Sequence, residues 1–132
     1  SSEKITDGRY INVYESVEER ELSESIKDIW MTESASYQFD NYSRILTVQS
    51  LVSPDAGIDT HFRYSCKPGE DDGTFTMEWK GMDEANIDQV RTFTVSVDEE
   101  TQAMKLTDAQ TQEKITLNSI AQQANQPTMS GQ

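Results

Sequence analysis

A period of two that repeats from one short run to the next constrains this chain most. In THFRYSC, residues 60–66, Phe62, Tyr64 and Cys66 alternate with His61, Arg63 and Ser65. In TFTMEWK, residues 74–80, Phe75, Met77 and Trp79 alternate with Thr74, Thr76 and Glu78. Successive side chains of a strand point to opposite faces, so each run carries one apolar and one polar face. Between them KPGEDDG, residues 67–73, is dense in turn formers, and the three segments predict a β-hairpin. The alternation returns in 35–40, 44–52, 91–97, 102–108 and 113–120, and a further short run lies at 9–14. SPDAG, residues 53–57, supplies a turn in which Pro54 presets its own φ and Gly57 accepts a positive one.

One stretch breaks the period. In residues 15–34, Val17, Leu22, Ile26, Ile29 and Trp30 fall near one helical face. Ser16 followed by Glu19 is a capping-box pattern, and Glu18, Glu19 and Glu21 stand where a helix dipole favours negative charge. The spacing predicts a helix over 17–31. About eight short strands with polar turns and one apolar face each predict an antiparallel up-and-down meander. Closing that meander into a β-barrel hides its edges. The expected fold is therefore mainly β, with one helix after the first strand. The 132 residues suit one domain, expected over 1–120, and the polar, aperiodic residues 121–132 read as a flexible tail.

Charge narrows the functional classes. Lys and Arg number 11 against 24 Asp and Glu, for a net charge of −13. Phosphate backbones are held by clustered cations, so this balance argues against a nucleic acid partner and against docking on anionic lipid. It favours attraction of a basic protein. No apolar run is long enough to span a membrane. The opening SSEKIT has neither a basic start nor an apolar core, so no signal peptide is expected there. Without an initiator Met, the chain reads as a mature or trimmed product. Cys66 is the one cysteine, which excludes an internal disulfide and leaves cytosol and bacterial envelope both open.

Gly8-Arg9-Tyr10, at the head of the first alternating run, resembles the Gly-x-Trp opening of lipocalins and their calycin relatives, with Tyr in place of Trp. Residues 92–120, with Met104-Lys105-Leu106-Thr107-Asp108 after an acidic turn, are similar to the closing strands of small bacterial lipocalin-like proteins. A strand followed by a helical insertion also resembles fatty-acid-binding proteins, although the basic residues that grip a carboxylate there have no counterparts here. The resemblance implies an eight-stranded calycin barrel with Gly8 and Tyr10 as a structural pair closing one end. It also implies a bacterial source, with the periplasm or envelope ahead of the cytoplasm.

No catalytic or metal motif stands out, and no cofactor is expected. His61, the only histidine, lies an odd number of positions from Cys66, so on one strand the two face opposite sides. Asp55, Gly57 and Asp59, and separately Glu70, Asp71 and Asp72, read as turn chemistry before they read as weak calcium sites. Two non-enzymatic functions fit. In the first, a small apolar ligand occupies the barrel, lined by Tyr37, Phe62, Tyr64, Phe75, Met77 and Trp79. In the second, the barrel is filled by its own side chains, and an acidic surface binds a basic protein or acts as an inhibitor. That surface would comprise loops 67–73 and 81–89 with the helix near 17–31.

Overall fold

The computed structural model describes residues 2–4, 10–12, 15–26 and 28–120, the first two segments as backbone. Two short strands, β1 (Ser2–Lys4) and β2 (Tyr10–Asn12), pair with each other in a separate two-stranded sheet. A helix, α1 (Val17–Ser25), follows. The strands β3 (Asp28–Met31), β4 (Ala35–Asp40), β5 (Ile45–Ser50), β6 (Asp59–Pro68), β7 (Thr74–Gly81), β8 (Val90–Asp98), β9 (Ala103–Asp108) and β10 (Lys114–Ser119) complete the chain. These eight form one closed antiparallel barrel in chain order, with β10 returning to β3. The expected meander, its closure and the hairpin of β6 and β7 are all present.

The helix is shorter than the spacing predicts. Its start is the expected capping box: the Ser16 hydroxyl accepts the Glu19 amide at 3.0 Å, and the Glu19 carboxylate accepts the Ser16 amide at 3.0 Å. It stops at Ser25. Asp28 takes a left-handed φ of 75° and turns the chain into β3. Ile26, Ile29 and Trp30 suit a helix face or a strand equally well. The strand prevails because it pairs on both sides, with β4 and with β10, and closes the ring.

The first alternating run is corrected as well. It supplies no barrel strand, because β2 pairs with β1; the barrel instead begins at Asp28. Gly8 and the tail from 121 lie outside the described residues. Gly57 has a φ of 88°, as its turn requires.

Strand directions give the barrel two distinct ends. At one end lie the turns 41–44, 69–73 and 99–102. The other end, called the loop end here, carries 32–34, 51–58, 82–89 and 109–113. Helix α1 packs on β6, with Ile26 buried and Leu22 against the core. The interior is apolar: Leu46, Met77, Phe93, Val95, Met104, Leu106 and Leu117 are all fully buried.

Candidate functional site

Five of the six residues expected to line a ligand site, Phe62, Tyr64, Phe75, Met77 and Trp79, point inward and are buried; Tyr37 packs against them from the partly buried layer. They meet one another. The Trp79 ring centroid lies 4.4 Å from Phe93, 5.4 Å from Phe62 and 6.1 Å from Tyr37, within the range of favourable ring contact. Phe39 meets Tyr64 edge-on at 5.2 Å. An eight-stranded barrel is just wide enough to be filled by side chains, and aromatic rings occupy the middle of this one. Two polar atoms of the set have no hydrogen-bond partner among the described residues: the Tyr64 hydroxyl and the Trp79 indole nitrogen. Burial drives the Tyr64 phenol well above its ordinary pKa, so it stays protonated.

Arg91 stands where this interior meets the loop end. Its guanidinium lies 4.9 Å from the Phe93 ring centroid and 5.8 Å from that of Trp79. It donates to Asp108 at 3.2 Å through two nitrogens and to Glu113 at 3.3 Å. Asp108 also accepts the amides of Gln110 at 2.8 Å and Thr111 at 3.0 Å, which pins the 109–113 turn. The Thr111 and Gln110 amides, with Arg91, hold the Asp108 carboxyl below the usual range.

Loop 82–89 is tied down through His61. The His61 amide donates to Asp83 at 2.6 Å, and its ring Nδ1 lies 2.9 Å from the other Asp83 oxygen. The His61 carbonyl accepts from the Met82 amide at 3.0 Å and from the Asn86 side chain at 3.2 Å. Asn86 is buried, and its carbonyl oxygen accepts the Asp83 amide at 2.7 Å. The role of His61 here is to anchor a loop. The His61 amide, then its ring, lowers the Asp83 pKa. Asp83 and Asp108 therefore release protons more readily when folded. Their stabilisation is complete above the ordinary carboxyl pKa near 4 and is lost as pH falls through the lowered native values. Asp83→Asn with Asp108→Asn should flatten the acid limb of stability against pH below about pH 4 in urea titrations. An unchanged limb would remove these two groups from the acid transition.

The anchored loop presents apolar side chains. Met82, Ile87 and the adjoining Val90 are exposed, Ile87 by 59%. In the neighbouring loop Leu51, Val52 and Ile58 are exposed, Ile58 by 57%. Val52 and Ile58 line a groove of about 330 Å³ with Ala35 and Val48. Among the described residues, six of the nine exposed large apolar side chains thus lie in two neighbouring loops or, for Val90, at the start of β8, at one end of the barrel. Asp55, Asp59, Asp83, Glu84 and Asp88 lie in or beside the same loops. Of the three surface elements singled out in the sequence, 81–89 carries part of this exposed apolar cluster. Turn 69–73 lies at the opposite end, and α1 packs along β6. Loop 51–58 was hidden in sequence, because its apolar residues are scattered among turn formers.

Cys66 is buried beside the helix, and burial pushes its thiol up to about 12. The Ser23 hydroxyl, also fully buried, has the thiol as its neighbour, and sulfur is a weak partner. A buried, protonated thiol is inert. Alkylation by a maleimide should be at least about 100-fold slower in the folded protein than in urea, because only unfolding exposes the sulfur. Equal rates would mean that α1 lifts freely from β6. His61 and Cys66 face opposite sides of β6, as their spacing requires. Among the described residues no group of three His, Cys, Asp or Glu is placed to hold a metal ion, and no helix is long and apolar enough to cross a membrane.

No family model matches this chain, and neither a curated protein nor a solved structure matches it.

Proposed function

We propose that this chain is a non-enzymatic protein-interaction module on a calycin-like barrel, and that the barrel interior is occupied by its own side chains. One observation carries the reading: exposed apolar side chains gather in the two loops 51–58 and 82–90 and are interleaved with carboxylates. Isolated surface apolar residues need no explanation, but a cluster of them with a polar rim is the usual composition of an interaction site. The rim is acidic, so the matching partner is a basic protein that presents apolar residues between Lys and Arg. Charge would set encounter rate and orientation, and the apolar centre would hold the complex.

A basic amphipathic peptide serves as a probe. Its binding to the full chain should weaken with added salt and should fall by about tenfold or more in Ile58→Ser with Ile87→Ser. Equal binding of oligolysine, which lacks an apolar face, would overturn the reading and reduce the effect to bulk charge.

A second reading has its own support. The Tyr64 hydroxyl and Trp79 indole nitrogen, without a hydrogen-bond partner among the described residues, are the kind of groups that a small, mostly apolar ligand with one polar end would satisfy. Native mass spectrometry separates the two. A mass excess lost on denaturation favours a ligand among Tyr37, Phe62, Tyr64, Phe75, Met77 and Trp79; identical masses favour the filled barrel.

A further inference from the structure

A closed ring of strands hides its edges, but this ring is only half sealed at its joint. Strand β10 pairs with β9 over five residues, Lys114 to Asn118, and with β3 over two, Asn118 and Ser119. The rest of its β3 side, toward the loop end, meets no strand among the described residues. The cause is local. Continued in register, β3 would set Glu33 opposite Thr116 and Ala35 opposite Lys114. The chain turns back first: the Thr32 amide donates to the Ala35 carbonyl at 2.9 Å, and the Thr32 hydroxyl accepts the Ala35 amide at 3.0 Å.

The pairing with β9 says which backbone groups this leaves open. The Asp108 amide donates to the Glu113 carbonyl at 2.8 Å, and the Ser119 amide donates to the Gln102 carbonyl at 3.1 Å. The odd-numbered residues from 113 to 119 therefore bond toward β9, and direction alternates along an antiparallel strand. The N–H and C=O groups of Lys114 and Thr116 point the other way, into the gap.

The gap is a slot of about 590 Å³. Glu33 lines it from one side and Glu113 and Lys114 from the other, with Tyr37, Arg91 and Ile115 between them. Tyr37 and Ile115 are only partly buried where they pack on the core, so an apolar side chain entering the slot would complete their cover. Arg91 is paired with Asp108 and Glu113. Once Arg91 and Asp108 cancel, Glu33 and Glu113 outnumber Lys114, and the slot is negative. It meets the apolar groove of loop 51–58 at Ser34, which lines both. A second copy of this chain would bring another net charge of −13 and be repelled.

We propose that an extended segment of a basic partner protein adds to the barrel as a strand on the open edge of β10, its main chain bonded to Lys114 and Thr116. The inference rests on the reading of the loop end as a site for a basic protein, and it supplies the binding mode. Strand addition takes affinity from main-chain hydrogen bonds and specificity from alternate side chains. Side chains of one parity would cover Tyr37 and Ile115, and those of the other would meet Glu33 and Glu113. The fitting segment alternates β-branched apolar residues with Lys or Arg.

A short end-blocked peptide that alternates Val and Lys is the probe, used with the full chain. It should bind saturably. The amides of Lys114 and Thr116, open to solvent in the free chain, should exchange about tenfold or more slowly in the complex, while those of Ile115 and Leu117, already bonded to β9, change little. N-methylation of peptide amides of one parity should weaken binding about tenfold or more, and methylation of the other parity should leave it unchanged. Thr116→Pro removes a donor from the edge and none from the ladder to β9, so it should also weaken binding about tenfold. Equal effects of the two methylated series, or unchanged exchange at Lys114 and Thr116, would overturn strand addition; loss of that same binding in Ile58→Ser with Ile87→Ser would leave the loop-end reading standing. Slow exchange of these two amides in the free chain would mean that this chain covers its own edge, and would also overturn the proposal. Absence of saturable binding would overturn it too, with the loop-end reading judged separately by the amphipathic peptide.

Discussion

Trp79→Ala will lower the unfolding free energy by about 3–5 kcal/mol, one of the largest losses available to a single substitution in this barrel. Trp79 is the largest fully buried side chain and the hub of the interior, in ring contact with Tyr37, Phe62 and Phe93 and beneath the Arg91 guanidinium. Alanine removes the indole from a site whose walls are strands of a closed ring. Such walls collapse little, so most of the lost volume persists as a cavity. Urea unfolding followed by circular dichroism measures the loss. A cost below about 1.5 kcal/mol would mean that the space around Trp79 is not tightly filled, and would shift weight to the ligand reading.

Gly81→Ala is the second large effect. Gly81 ends β7, and its amide donates to the Gln89 carbonyl at 3.0 Å, across the base of loop 82–89. A methyl group there would overlap the Asn86 carbonyl oxygen and come within 2.6 Å of its carbon. These are backbone atoms of a residue tied to His61, so they cannot swing aside like the tip of a long side chain. Alanine must either displace the loop or strain β7, at a cost of about 3 kcal/mol. Amide chemical-shift changes should centre on 82–89, and binding of the amphipathic peptide should fall with stability, because the same loop presents Met82 and Ile87. A stability change under about 0.5 kcal/mol would show that the loop is not seated on this glycine.

What could be read from the sequence was what is local. The hairpin of β6 and β7 needs only two alternating runs and a breaker cluster between them, and the capping box at Ser16 needs only two residues. The boundary between α1 and β3 was illegible, because Ile26, Ile29 and Trp30 satisfy both periods. Their fate rests on β10, at the far end of the chain. The same limit hid the candidate surfaces. Val52, Ile58 and Ile87 look like stray apolar residues until strand directions bring their loops to one end. Lys114 and Thr116 show as an open edge only once the register of β10 on β3 is fixed. His61 was visible as a lone histidine on the outer face of its strand, but its anchoring partner Asp83 was not.

The joint that closes the barrel rests on two registered residue pairs, Asn118 with Met31 and Ser119 with Trp30, whereas β6 and β7 share seven. Every other junction links neighbours in sequence and can form early from short chain loops. This one must bring together the first and last strands of the barrel, at the largest cost in loop entropy and for the smallest return in hydrogen bonds. Folding should therefore run outward from the central hairpin and finish at this junction, so that substitutions there mainly speed unfolding and those in β6 and β7 mainly slow folding. In the native ensemble the same junction is the first to part. Amide protons of β3 and β10 should exchange with solvent well before those of β6 and β7, and the barrel breathes along this single line.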